Sequence, residues 1–76
     1  MIVDSRGRRC PLPVIDLAKA VRDAAVGDVV TVLADDPAAA TDIPAWCRLR
    51  GHEFVGAEEH EGATGYVVRK LAAPEG

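Results

Sequence analysis

"PLPVIDLAKAVRDAAVGDVVTVLA" (residues 11–34) decides the fold. Val14, Leu17, Ala18, Val21 and Ala25 recur every three or four residues, while Asp16, Lys19, Arg22 and Asp23 fall on the other side. That spacing predicts an amphipathic helix with one apolar stripe. Gly27 follows, where a left-handed C-cap is expected. "DVVTVLA" (28–34) then turns β-branched and nearly all apolar, as a central strand covered by helices would be.

Working outward, "MIVD" (1–4) is a short apolar stretch that reads as a first strand, and "SRGRRC" (5–10) is a polar loop pivoting on Gly7. After the central strand, "DDP" offers Asp36 as a cap and Pro37 for a first turn. Ile43, Trp46, Cys47 and Leu49 are spaced for a second helix, but Pro44 interrupts it, and a mid-helix proline costs about 3 kcal/mol. A regular helix is therefore expected over 42–50, entered through an irregular turn at 37–41 and ended by Gly51. "HEFVGAEEH" (52–60) and "TGYVVRKL" (64–71) read as two strands joined by the turn-prone "EGATG" (61–65), with "AAPEG" (72–76) as a frayed tail.

The element order is thus β-α-β-α-β-β. Right-handed crossovers between parallel strands place both helices on one face of the sheet. The expectation is an α/β two-layer sandwich with a four-stranded mixed sheet. It forms one domain over 1–76, with an ordered core of about 2–71 and one sheet face left open for a partner.

Composition excludes several functions. The net charge is −3, and Trp46, Phe54 and Tyr66 are the only aromatic residues. A phosphate-gripping protein usually has a basic excess and a stacking platform, so direct, stable nucleic-acid binding is not expected. No apolar run approaches the eighteen or so residues of a membrane span, and "MIVDSRG" lacks a signal-peptide core. A cytoplasmic protein is expected, and with it reduced thiols rather than a structural disulfide between Cys10 and Cys47. Neither cysteine is spaced with His52 or His60 in a zinc pattern, so no metal and no cofactor is expected.

Each thiol then needs its own account. Cys10 is expected at the N-cap of the first helix, with Pro11 at the first helical position and Pro13 in the same turn. The two prolines would stiffen that turn. A helix N-terminus favours a nearby anion by roughly 0.3–1 kcal/mol, which lowers a thiol pKa by well under about one unit. Arg8 and Arg9, if turned toward Cys10, would add to the stabilisation of a thiolate. An exchangeable thiol is the reading for Cys10, although free cysteines are often inert core residues. Cys47, beside Trp46, reads first as a core or half-buried thiol, with a secondary sulfur-handling role or redox pairing with Cys10 as the alternatives. Asp35, Asp36 and Asp42 serve equally as an acidic patch or as caps and turns, and His52 and His60 are expected to be exposed and unpartnered.

Together "VDSRGRRCPLP" (3–13) and "ADDPAAATDIPAWC" (34–47) resemble the Leu-Asp-x-x-Gly-Leu-x-Cys-Pro-x-Pro and Ala-Asp-Asp-Pro…Asp-Ile-Pro…Cys segments of the TusA/SirA-like sulfur carrier family. "GHEFV" (51–55) and "YVVRK" (66–70) fall where that family has its closing strands, so the resemblance spans residues 2–70. It implies the same β-α-β-α-β-β sandwich. It also implies a persulfide on Cys10, taken from a cysteine desulfurase or a rhodanese-type donor and passed to a downstream acceptor protein. Pro11, Pro13 and Gly7 would then shape the turn. Leu12 and Arg8 stand where members serving tRNA thiolation usually carry Glu and Leu, and Thr41 replaces a basic residue often found before Asp-Ile-Pro. Those departures flank the expected docking surface and point to a different donor or acceptor. A thiol redox sensor, or an interaction module with a structural Cys-Pro-x-Pro turn, is the competing reading. A carrier that docks with successive partners is expected to be a monomer.

Overall fold

The computed structural model describes residues 1–9 and 11–71. The elements run β1 (Ile2–Asp4), α1 (Leu12–Asp23), β2 (Val29–Ala34), α2 (Ala39–Arg50), β3 (Glu53–His60) and β4 (Ala63–Arg69). The expected order is the observed one. In the sheet the strands lie β1-β2-β4-β3, with β1 and β2 parallel and β4 antiparallel to both of its neighbours. β4 thus slots between β2 and β3, the two strands that α2 connects.

Alternation along β2 explains the layers. Val30, Val32 and Ala34 are buried, whereas Val29, Thr31 and Leu33 are not. The inward row meets Val68 and Tyr66 across the β2–β4 pairing, and Leu17, Val21 and Ala24 from α1 with Ala39, Ile43 and Cys47 from α2 complete the core. Both helices cover this one face. The other face is uncovered and shows Ile2, Val29 and Val55 beside a Glu53–Arg69 ion pair. β2 is central in the sheet, yet it is sealed on one side only.

Helix α1 differs from expectation at both ends. Its first i→i−4 bond runs from Ile15 N–H to the Pro11 carbonyl, at 3.0 Å, so Pro11 is the N-cap and Pro13 the second helical residue. The N–H that Pro13 lacks would have had no helical acceptor there. The helix also stops at Asp23 rather than running on to a Gly27 cap. Lys70, at the end of β4, sends its ammonium to the Ala24 carbonyl at 2.6 Å and to the Arg22 carbonyl at 3.3 Å. Those two acceptors are the kind a cation satisfies at a helix C-terminus. Gly27, at φ 93°, instead turns the chain into β2 and donates its N–H to Lys70 O. Ala24 is therefore buried where Ala25 was expected to be.

Helix α2 begins three residues earlier than expected. Asp36 accepts the Ala38 N–H at 3.0 Å, and short turns from Asp36, Pro37 and Ala38 wind directly into the helix. Pro44 is accommodated because the carbonyl it leaves without a partner belongs to Ala40, an exposed residue. Gly51 ends the helix in the left-handed region, as expected, at φ 77°. The buried stripe is Ala39, Ile43 and Cys47, at four-residue intervals, so Leu49 lies outside it and is exposed. The β3–β4 turn is tighter than "EGATG" suggests. Glu61 and Gly62, both at positive φ, make a two-residue hairpin, and Ala63, Thr64 and Gly65 already belong to β4. The closing "AAPEG" lies outside the described residues.

Both histidines, expected to be exposed and unpartnered, are half-buried and engaged. His60 pairs with Glu58 at 2.7 Å and lies over Gly65, where an added Cβ would stand 2.7 Å from its ring. His52 stacks on Trp46 at 5.4 Å between ring centres and accepts the Leu71 N–H on Nδ1 at 3.2 Å. Burial, then Lys70 and Arg50, push the His52 imidazole below its ordinary value. A depressed value means that the unfolded chain takes up the proton more readily. The associated stability is complete above the unfolded value of about 6.5 and is lost as pH falls through the folded one. Thermal melts should therefore show a midpoint that drops from roughly pH 7.5 to 5. His52→Phe, which keeps a ring against Trp46 but cannot be protonated, should flatten that slope; an unchanged slope would remove His52 as its origin.

Candidate functional site

The loop from β1 to α1 carries the motif residues and is anchored at both ends. Ser5 N–H reaches Leu33 O at 2.8 Å, which extends the β1–β2 pairing by one residue. Ser5 O then accepts Arg8 N–H at 3.3 Å, closing a four-residue turn. Gly7 stands third in that turn at φ 79°, as a type II turn demands, and its N–H points at both oxygens of Asp35, each at 3.0 Å. A second turn follows at once, with Leu12 N–H on Arg9 O at 2.8 Å. The cap expected at Cys10 is one residue further on, because the first helical bond runs back to the Pro11 carbonyl and makes Pro11 the N-cap; position 10 itself is outside the described residues.

Three arginines share the loop, and two of them are paired. Arg6 binds Asp4 through Nε and Nη2 at 2.9 and 2.8 Å, and its backbone N–H also reaches Asp4. The Arg6 guanidinium holds the Asp4 carboxyl down to about 2. Arg8 Nε meets Asp16 Oδ2 at 3.0 Å. The same oxygen accepts the hydroxyl of Ser5, which is fully buried, at 2.7 Å. Arg9 is exposed and makes no ion pair among the described residues. Gly7, Arg8, Arg9, Asp35, Asp36 and Pro37 line an open groove of about 460 Å³. Of the two arginines expected to support a thiolate, Arg8 is therefore partly neutralised and Arg9 is not.

The other expected residues divide clearly. Pro11 is exposed at the helix cap, while Pro13 is buried in the first turn of α1. Cys47 is 1% exposed within the core, and burial pushes its thiol up to about 11, with Arg48 a smaller opposing influence. At neutral pH it is an unreactive thiol. The 7 Å test for a Cys10–Cys47 bridge involves a position outside the described residues. Asp35 and Asp36 both act as backbone acceptors, which is their turn-and-cap reading. Ser5 and Asp16 went unrecognised as a pair in the sequence. The one signal was an acid on the second turn of a helix that follows a loop rich in arginine.

A family model described as sulfurtransferase TusA matches residues 1–70. The chain belongs to the TusA sulfurtransferase family. The sulfur carrier protein TusA of Pseudomonas entomophila is 44% identical over 70 residues, covering 92% of this chain and 88% of that one. A relative from Archaeoglobus fulgidus is 41% identical over 71 residues, with 93% and 97% covered. The crystal structure of a SirA-like protein from Desulfitobacterium hafniense superposes with a TM-score of 0.74 at 29% identity, covering 97% of this chain and all of that one. The TusA-family sandwich expected from the motifs is the fold observed. The departures from its signature at Arg8 and Leu12 fall on the loop just described and on the first residue of α1.

The turn's dependence on glycine can be measured. An added Cβ at Gly7 would meet nothing within 4 Å, so only the backbone conformation opposes it. Gly7→Ala should cost about 1 kcal/mol in urea denaturation, and Gly7→Asn less, because Asn tolerates the left-handed region. Equal stability of all three chains would mean that this turn relaxes in solution.

Proposed function

We propose that this chain is a sulfur carrier that takes sulfane sulfur onto Cys10 as a persulfide and hands it to an acceptor protein. The observation that carries the reading is the end-to-end match to a family whose curated members are named sulfur carriers, with Cys-Pro-x-Pro inside the matched range. The geometry of the neighbouring residues supports it. The Ser5–Arg8 turn precedes position 10, the Leu12 N–H to Arg9 O bond spans it in the chain, and Arg9 next to it is a cation without an ion pair among the described residues.

The chemistry needs only one thiolate. The Cys10 thiolate attacks the terminal sulfur of a donor Cys–S–SH. The donor's S–S bond breaks as the new bond on Cys10 forms, and the donor cysteine leaves as a thiolate. One sulfur atom has moved, its proton remains with it or passes to solvent, and no external oxidant or reductant is consumed. An acceptor thiolate then repeats the exchange, with Cys10 as the leaving group. A moderate thiol pKa serves both steps, because a lower value improves departure while weakening attack. Arg9 and the N-terminus of α1 would hold the charge in either state, and Pro11, Pro13 and Gly7 would keep the turn stiff.

The donor in this reading is a cysteine desulfurase or a rhodanese-type protein, and the acceptor is a downstream protein thiol. The carrier works as a monomer in the reducing cytoplasm. No helix among the described residues is long and apolar enough to cross a membrane. Cys47, buried and with a raised pKa, takes no part.

Incubation with a cysteine desulfurase and L-cysteine should leave a reducible single-sulfur adduct on the Cys10 peptide by mass spectrometry. Cys10→Ser should abolish the adduct, and Cys47→Ser should retain it. Oxygen adducts on Cys10 without any sulfur adduct would favour a redox sensor, and no change in partner binding by Cys10→Ser would favour an interaction module.

A further inference from the structure

Asp16 is the described residue whose role the sulfur exchange leaves unexplained. It lies on the second turn of α1, and a single oxygen, Oδ2, accepts both the Ser5 hydroxyl at 2.7 Å and Arg8 Nε at 3.0 Å. Ser5 and Arg8 are the first and last residues of the turn that Gly7 closes. One carboxylate therefore ties both ends of that turn to the helix. Its side chain is only 20% exposed, against 47% for Arg8, so the pair is partly shielded from solvent. Ser5 leaves no polar group idle. Its N–H, carbonyl and hydroxyl are all bonded although the residue is completely buried.

We infer that Asp16 is a positioning residue for the loop that carries Cys10: it fixes the Ser5–Arg8 turn on α1 and offsets the charge of Arg8, two residues before the thiol. The inference rests on the sulfur-carrier reading for the importance of Cys10. Arg8 precedes Cys10 by two residues, and covalent geometry limits their Cα separation to about 7 Å. An unpaired guanidinium at that range would pull the thiol pKa down. Paired with Asp16, it contributes little. The two charges act on the thiol in opposite senses, which makes the arrangement separable by experiment.

The test is a charge cycle read on Cys10 itself. In the full-length chain, the pH dependence of iodoacetamide alkylation at the Cys10 peptide reports its apparent pKa without any sulfur donor. Asp16→Asn keeps an acceptor for Ser5 but frees the Arg8 charge, and should lower that pKa by roughly 0.3–0.5 units, a two- to threefold rise in thiolate. Arg8→Leu leaves Asp16 uncompensated and should raise it by a similar amount. The double variant should return to the parent value. A purely structural role would move both single variants the same way or neither, and either result overturns the inference, as would a double variant that fails to return. Should Asp16→Asn alone not fold, the double variant compared with Arg8→Leu decides: a return to the parent value supports the inference, and no return overturns it. A parent chain that never loads sulfur would end the carrier reading while leaving this cycle intact.

Discussion

The inward row of β2 fixes everything else in this small domain. Val30 and Val32 are fully buried and Ala34 nearly so, and both helices close on that row. β1 is only three residues long and lies at the edge of the sheet, paired with β2. The bond from Thr31 N–H to Met1 O and that from Ser5 N–H to Leu33 O bracket its pairing. The candidate loop starts where the second of those bonds ends. The start of the loop is therefore set by a three-residue strand and the Ser5–Leu33 bond that follows it.

From that anchor, carboxylates do most of the ordering. Asp4, Asp16 and Asp35 each hold a different part of residues 5–8, through a guanidinium, a hydroxyl with a guanidinium, and a backbone N–H respectively. Exposed ion pairs add little stability individually, typically about 0–1 kcal/mol. Their effect here is on direction and on net charge. Two of three arginines are balanced locally, so a loop that looks strongly basic in the sequence presents less free positive charge than a count suggests.

The far end of the fold is held by a different device. Lys70 leaves β4 to satisfy the last carbonyls of α1, and His52 receives the Leu71 N–H while stacked on Trp46. Both contacts join segments more than fifteen residues apart. They bind the last strand to the helical layer at the end of α1 opposite the candidate loop. The shortened α1 and the displaced Gly27 follow from them, because a cation from another strand does the work that a glycine cap would have done within the helix.

Periodicity and turn chemistry in the sequence determined the element order, the two-layer class, the central place of β2, the Gly51 cap and the motif that identifies the family. Those features are local, or are repeated along one element, and a linear reading captures them. Helix ends, the buried state of Ser5, the engaged histidines and the unequal state of the arginines were decided only by tertiary structure. Each depends on a partner from a distant segment: Asp16 for Ser5, Lys70 for the end of α1, Leu71 for His52. Hydrogen bonds and ion pairs act over about 3 Å, and no spacing in the chain reveals which distant atoms folding will bring that close.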